Sequence, residues 1–537
     1  MSSFNQNPPS FNLLAETLIR ARLATGEIAA LSLPAIYAAL MRDEIDSFPA
    51  LRPHQRHVWH AFLVQAGALA MLGAGETEAL ADETHWRQLL RGLTRQWPDD
   101  APWCLVAALD RPALLQPPVP EGTLAGFGTM TTPDELDMLV TSKNHDLKGS
   151  VGTMGAAEDW FFALLSLQTQ EGFLGAGNYG ISRMNGGFAN RPGLGLAPAG
   201  GPGARVRRDM ARLRETRNAL LRGDGGAFPE QGGLGLVWLR AWGGETSLSL
   251  DLLDPWYVEI CRRIRLECKD GILQARGKGT KAARIDAKAL SGITGDAWAP
   301  LVIDKDKRKA FSVSGGGFGY RRMVQLMCDP DTITPPPMQA FSADDTAPGM
   351  EIIARGLARG QGKTEGYHER RVPVSTWIRQ GWRKSDADPV ARIGSKRVED
   401  AGKIASALRF ALSLLVDPDR QQGERMKPQT EKAIQPWITQ FDFAIDRDFF
   451  PAMERELRVL GDADACEVEH GRWLIDLSAQ GFDLIEDAAA PLARGGLRRL
   501  RAITRAKRTF SAMFYKAFEH LRPEKPGDTN QPEDASP

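Results

Sequence analysis

The sequence has no excess of charge of either sign. Lys and Arg total 67 of 537 residues, Asp and Glu also total 67, and the formal net charge is zero. That balance excludes a globally basic nucleic-acid binder and leaves a locally basic one open. Cysteine is scarce: Cys104, Cys261, Cys268, Cys328 and Cys466 are scattered and odd in number. This argues against a disulfide framework and fits a reduced, cytoplasmic chain. No membrane span is expected either. The most apolar window, Val58 to Gly75, is broken by His60 and Gln65 and is thick with small residues, so it reads as a buried helix. The opening segment MSSFNQNPPSF has neither a basic region nor an apolar run, and no signal peptide is expected. Catalytic signatures are also missing. GxxxxGK[ST], HExxH, GxSxG and CxxC do not occur, so ATPase, zinc-protease and serine-hydrolase chemistry lack their residues. The nearest miss is GKT at Gly362–Thr364, where Leu357 stands in place of the first P-loop glycine.

What the chain does have is glycine in one place. The stretch from Leu139 to Leu196 begins with a polar, basic loop carrying Lys143, Asn144, His145, Asp146 and Lys148. An apolar helix follows over roughly Asp159 to Gln170. A long glycine-rich segment then runs from Gly172 to Gly187, with Asn178, Arg183 and Asn185 between the glycines. Glycine costs conformational entropy, and its usual use is a backbone that turns sharply or comes close to a partner. Two polar loops held by one buried helix describe a binding platform.

Elsewhere the pattern predicts ordinary elements. A strand is expected near Phe11–Leu13, a helix capped by Ser32 with Pro34 in its first turn, and a helix from Pro53 to about Leu72. That last helix carries His54, His57 and His60. No carboxylate or cysteine sits beside them at ligand spacing, so packing and hydrogen bonding are expected rather than a metal. Further elements are an amphipathic helix over Thr84–Trp97, a short helix over Pro133–Leu139, and strands over Leu234–Trp242 and Leu248–Leu253. Two basic runs stand out. One holds Arg205, Arg207, Arg208, Arg212, Arg214, Arg217 and Arg222; the other spans Arg262 to Arg284 and includes GKGTKAAR, with Lys278 and Lys281. A solvated face and a phosphate-facing role both remain open for the first run. Phe311–Leu326 reads as strand, glycine turn, strand. Gly356, Gly360, Gly362 and Gly366 deny a regular element to IIARGLARGQGKTEGYHERRVPV, with Gln361 at its tip.

From about Val398 glycine thins out and helical periodicity takes over, with helices near 398–416, 443–460, 470–489 and 494–521. In the last, Leu500, Ile503, Phe510, Phe514, Phe518 and Leu521 share one face, and Arg498, Arg501, Arg505 and Arg508 the other. The fold class is therefore α+β: a large mixed N-terminal domain over 1–395, a four-helix bundle over 396–522, and a disordered tail over 523–537.

Gly175–Gly180 (GAGNYG) matches the dinucleotide fingerprint GxGxxG, which needs a strand before it and a helix starting within it. The preceding segment is helical and the following ISRMNGG is not, so a nucleotide-binding enzyme using this loop is the alternative rather than the main reading. Cys104, in PWCLVAAL, is read as a core thiol. No cofactor, metal or catalytic pair is expected. The residues point to a non-catalytic binding protein with nucleic acid as its ligand.

Taken in order, FNLL, LRPHQRHVWHAF, TPDELDMLVTSKNHDLK, SLQTQEGFLGAGNYGISRMNGG, ARGQGKTEGYHERR and the closing helices resemble the CasA family over nearly the whole chain. CasA is the large subunit of the type I-E CRISPR surveillance complex, Cascade. The resemblance implies a subunit that caps the crRNA 5′ handle and contacts the other Cascade subunits. It implies recognition of the protospacer-adjacent motif in double-stranded target DNA from the minor-groove side, help in opening the duplex, and recruitment of a helicase–nuclease. It implies a DNA-reading glycine loop at Gly175, Gly177, Asn178 and Gly180, with Arg183 close by. A glutamine wedge falls on Gln361 and Gly362, next to Lys363, and a lysine finger on Lys278 or Lys281. Docking onto the crRNA handle and neighbouring subunits falls on Lys143, Asn144, His145 and Lys148. Some members carry a cysteine cluster in mid-chain; here only Cys261 and Cys268 stand there, too few and too far apart for zinc. The physical chemistry agrees with this picture. The minor groove is narrow and its code degenerate, so glycine backbone reaches where side chains do not.

Overall fold

The computed structural model describes residues 10–137, 139, 155–184, 186–187, 189–222, 228–305, 307–345, 349–360, 363–381, 388–493 and 495–523. The chain divides into two compact units, Met1–Phe318 with Asp329–Ser375, and Gly319–Cys328 with Thr376–Pro537.

The first unit mixes small sheets with helices α1 (Leu33–Met41), α2 (Arg56–Ala74), α3 (Glu83–Gly92), α4 (Ala157–Gln170) and α5 (Pro202–Arg222). Local chemistry sets the starts. The Ser32 hydroxyl accepts the Ala35 N–H at 3.2 Å, and Pro34 fills the first turn of α1. Among the described residues α2 is apolar and long enough to cross a membrane, yet 83% of its apolar window is buried inside the unit. Trp59 of α2 packs edge-on against Phe161 and Phe162 of α4, which makes these two helices the centre of the core. The polar residues that interrupt α2 are paired. His60 Nε2 lies 2.8 Å from Asp209, and the Gln65 amide donates to the Tyr257 carbonyl at 2.9 Å. Just before α2, His54 Nε2 lies 2.8 Å from Asp137.

Two antiparallel sheets carry the segments that form the candidate site. In one, Gly193–Ala197 pairs with Met350–Gly360, which pairs with Lys363–Val374. In the other, Gly128–Met130 pairs with Ile272–Lys278, which pairs with Arg263–Lys269. The first corrects the expectation that glycines would deny 350–374 a regular element. Gly356, Gly360 and Gly366 sit where the hairpin is crowded or kinked. A Cβ on Gly356 would meet Val313 at 2.6 Å, and Gly366 has φ +132° beside a bulge at Ala358/Arg359. Of two other strand expectations the first shortens and the second moves along the chain, since Leu250–Leu252 forms a 3-10 turn. Leu234–Leu236 is a strand followed by a 3-10 turn, and the second strand is Leu253–Val258.

The second unit holds α6 (Tyr320–Cys328), α7 (Thr376–Gly381), α8 (Pro389–Val416), α9 (Pro428–Arg458), α10 (Ala463–Leu492) and α11 (Leu497–Ala517). Where a strand was expected after the Gly315–Gly317 turn, α6 forms instead. Its Tyr320, Met323, Val324 and Met327 are buried at helical spacing. The four long helices pack as a bundle in which α8 touches the other three. The boundary read at 395/396 falls inside α8. Helix α9 begins 15 residues before the expected 443, because it continues through Pro436 with Ile434 and Phe441 buried on either side. In α11 the buried stripe is Ala502, Ala506, Phe510 and Phe514, and Phe518 follows at its end; Leu500 is 61% exposed, against expectation. Gly481 of α10 makes room for the stripe, since a Cβ there would meet the Phe510 ring at 2.5 Å. Arg498, Arg501, Arg505 and Arg508 are exposed, as the sequence pattern predicts.

A buried polar cluster crosses the bundle. Arg397 donates to Glu456 at 2.9 Å and lies over the Trp473 ring at 4.6 Å. His470 Nε2 is 2.9 Å from Asp400, and its Nδ1 is 3.4 Å from Glu456. Burial lowers the proton affinity of His470, but the two carboxylates outweigh it and hold its pKa above the ordinary value. A raised histidine pKa stabilises the fold below the unfolded-state value of 6.5, and that stability is lost as pH rises through the folded-state value. The melting-temperature advantage of wild type over His470→Gln should therefore shrink as pH is raised from about 6 to about 8. A pH-independent difference would contradict this assignment.

Candidate nucleic-acid interface

The glycine-rich segment is held at both ends. At the end of α4 the Gln168 side chain fills all its bonding capacity. Its amide donates to the carbonyls of Leu115 and Arg262, both at 2.9 Å, and its oxygen accepts the N–H groups of Cys261 and Arg262 at 2.9 and 2.8 Å. The Arg262 guanidinium then donates to the carbonyls of Gly172 and Tyr179. The Ile181 N–H closes the base of the loop on the Glu171 carbonyl at 2.9 Å. Inside, Leu174 N–H reaches the Asn178 carbonyl and Asn178 N–H reaches the Gly175 carbonyl, at 2.9 and 3.0 Å. Gly175 and Gly177 turn the chain with φ of +108° and +84°. Ala176 and Asn178 are left exposed at the tip.

The loop lies beside the lysine segment. The Thr280 N–H donates to the Gly177 carbonyl at 3.0 Å, and a Cβ on Gly177 would stand 3.7 Å from the Gly279 Cα. The two lysines then differ. Lys278 ends its strand exposed, with Nζ 5.6 Å from the centre of the Phe127 ring. Lys281 is exposed and pairs with Glu245 at 3.1 Å.

A third element joins at the base. Glu171 and Arg359 form an ion pair at 2.5 Å, and both side chains are almost wholly buried. Burial pushes the Glu171 carboxyl up, and the nearby Arg262 and Arg359 only partly oppose it. Arg359 pairs with Thr364 across the hairpin, one step below the paired Gly360 and Lys363. Gln361 and Gly362, which connect them, lie outside the described residues, as does the Lys363 side chain. Lys143, Asn144, His145 and Lys148 also lie outside them. The structure thus brings together Gly175–Gly180, Lys278–Lys281 and the upper part of the 350–374 hairpin.

One expected contact residue is corrected. Arg183 is only 2% exposed, donates to the Tyr257 carbonyl at 3.0 Å and stacks over the Tyr257 ring at 4.0 Å. Glu259 lies 3.6 Å from it, so Arg183 is committed to the interior and has no surface to offer a phosphate. Most of the basic runs are similarly committed. Arg208 holds Asp345 and the Ala340 carbonyl, and Arg217 holds Asp254 at 2.6 Å. Arg265 donates to the carbonyls of Ala107, Ala108 and Arg111, and Arg284 to those of Val237 and Arg240. Charge count alone does not separate such arginines from solvated ones. The fingerprint reading of GAGNYG loses its frame as well: α4 precedes the loop, and turns rather than a helix follow it. Among the described residues, no group of three or more His, Cys, Asp and Glu side chains is placed to hold a metal. Burial pushes the Cys104 thiol up to about 12, as a core thiol.

The glycines differ in what they tolerate. A Cβ on Gly180 would stand 2.4 Å from the Gly172 carbonyl carbon, whereas Gly177 has room at ordinary contact distance. Gly180→Ala should cost about 1–3 kcal/mol through overpacking. Gly177→Asp should cost about 1 kcal/mol, from its left-handed φ alone. Urea denaturation of the full chain measures both, and a larger loss for Gly177→Asp would refute the loop geometry.

No protein-family model and no curated protein matches this sequence. Solved structures do match. The chain is 14% identical to CasA of Thermus thermophilus, with a TM-score of 0.62 over 94% of this chain and 100% of that one. It is 14% identical to Cse1 of Thermobifida fusca, with a TM-score of 0.62 over 95% and 98% of the two chains. A chain of a CRISPR RNA-guided surveillance complex aligns at 13% identity and a TM-score of 0.52, over 94% of this chain and 100% of that one. Over at least 94% of its length, this chain has the CasA/Cse1 fold.

Proposed function

We propose that this chain is the large subunit of a type I-E Cascade complex, one that recognises the protospacer-adjacent motif in double-stranded DNA. The observation that carries the reading is the Thr280–Gly177 bond, which sets a half-buried glycine turn with an exposed tip beside an exposed lysine. Such a surface suits the minor groove. Backbone approaches the base edges, and Lys278 or Lys281 meets the phosphates that supply most affinity. Gln361, at the end of the neighbouring hairpin, is the proposed wedge that opens the first pairs. Lys143, Asn144, His145 and Lys148 are the proposed contacts to the crRNA 5′ handle and the other subunits. In this reading the chain performs recognition and duplex opening in the cytoplasm, and a recruited helicase–nuclease performs cleavage.

Wedge and reader should fail differently in the assembled complex. Gln361→Ala should weaken binding to a fully paired target at least tenfold, and a target already unpaired beside the motif should restore it, because that target carries the opening cost of a few kcal/mol. Gly177→Asp should weaken both targets alike, since a charged side chain then stands where backbone must approach. Band-shift titrations decide. Equal rescue of both variants, or of neither, removes the assignment of the wedge.

The exposed arginines of α11 give a separate test. Changing Arg498, Arg501, Arg505 and Arg508 to Ala should leave the melting temperature within a few degrees of wild type and weaken R-loop stability or complex assembly. Unfolding instead would make the stripe structural.

A further inference from the structure

The first unit contains a cavity of about 480 Å³ lined by α2, the start of α5 and the lower part of the 350–374 hairpin, away from the hairpin's upper end. Its lining includes the apolar Phe48, Leu51, Trp59 and Leu63. It also includes four arginines, Arg56, Arg205, Arg355 and Arg371. Asp46 and Glu351 are the carboxylates in the lining, and Glu351 is engaged by Arg371 at 2.9 Å. The start of α5 completes the wall at Gly201 and Pro202.

Arg205 breaks the pattern set by the other buried arginines. Its side chain is only 10% exposed, yet it makes no hydrogen bond among the described residues, and its Nε is buried without a partner. Asp209 is the ion-pair contact, at 4.0 Å, and its oxygens already serve His60 and Arg208. Arg355 leaves its Nε unpaired too, although its terminal nitrogen reaches Glu369 at 3.1 Å. Burial lowers the Arg205 pKa only to about 10, so the group remains charged at neutral pH. A buried cation whose carboxylate stands 4.0 Å away and is shared with two other groups is poorly compensated, and a further anion relieves that cost. Helix α5 adds to the same field. Its own first turn contains no acidic residue and no capping side chain, and the Asp43 carboxylate that lies against Gly203 is taken up by Arg207. Helix geometry leaves the Gly203 and Ala204 amides without an intrahelical acceptor, and a helix N-terminus favours negative charge.

We propose that this cavity binds a small phosphate-bearing ligand of mononucleotide size. Its phosphate lies between Arg205, Arg355 and the start of α5, where planar guanidinium groups match phosphate oxygens in pairs. The volume is in the range of small-molecule pockets and far exceeds a bare phosphate, and the half-buried Phe48 and Leu51 offer an apolar surface for a base.

Isothermal titration of the full-length chain with adenosine monophosphate, inorganic phosphate and adenosine tests this. The monophosphate should bind at least tenfold tighter than either fragment. Arg205→Met should lose the response to the monophosphate while melting, unliganded, at or above the wild-type temperature. A structural arginine would instead lower that temperature. Arg56→Ala, at the exposed rim, serves if Arg205→Met does not fold, and should weaken the monophosphate several-fold with the melting temperature unchanged. Three results would overturn the proposal: no binding by wild type, unchanged binding in the variant that folds, or phosphate binding as tightly as the nucleotide.

Discussion

The structure depends on arginine side chains that satisfy buried carbonyls. The first unit contains long irregular segments threaded through its interior, and each buried carbonyl there needs a donor. A guanidinium supplies five N–H donors in one plane, and one arginine can therefore fasten several turns at once. Arg265 does this for the loop around residues 107 to 111, Arg284 for residues 237 to 241, and Arg262 for the two ends of the glycine loop. The same need explains why several arginines in the basic runs of the first unit present no basic surface.

That economy decides what the sequence reveals. Elements whose signal is local are legible. Ser32 and Pro34 mark the start of α1, the apolar run marks α4, and the long helices of the second unit follow from their periodicity. Elements decided by neighbours are not. The 350–374 hairpin looks glycine-broken until Val313 is seen filling the space beside Gly356. Helix α6 hides behind three glycines. Arg183 reads as an exposed contact because nothing in its own segment announces Tyr257 and Glu259, more than seventy residues away. The site is half legible on the same grounds. The glycine turn is visible as composition, while its bond to Thr280 and its tie to Arg359 belong to the fold.

The fold likeness at 14% identity fits this division. Backbone course is held by burial pattern and by contacts that many sequences satisfy. The glycine turn, the lysine segment and the hairpin are the parts on which the proposed recognition of DNA rests. All three sit on Gln168, Arg262 and Glu171, side chains with no role at the surface.

The Glu171–Arg359 pair has a consequence for how this protein can vary. Each partner is almost fully buried, and losing one strands the charge of the other away from water. A lineage therefore cannot drift through the single exchanges one at a time without a deep loss of stability. The two positions, 188 residues apart, should be inherited as a unit, present together or replaced together by an apolar pair of similar volume. Through them the foot of the glycine loop and the upper hairpin are constrained to evolve as one part, even where their exposed tips diverge freely.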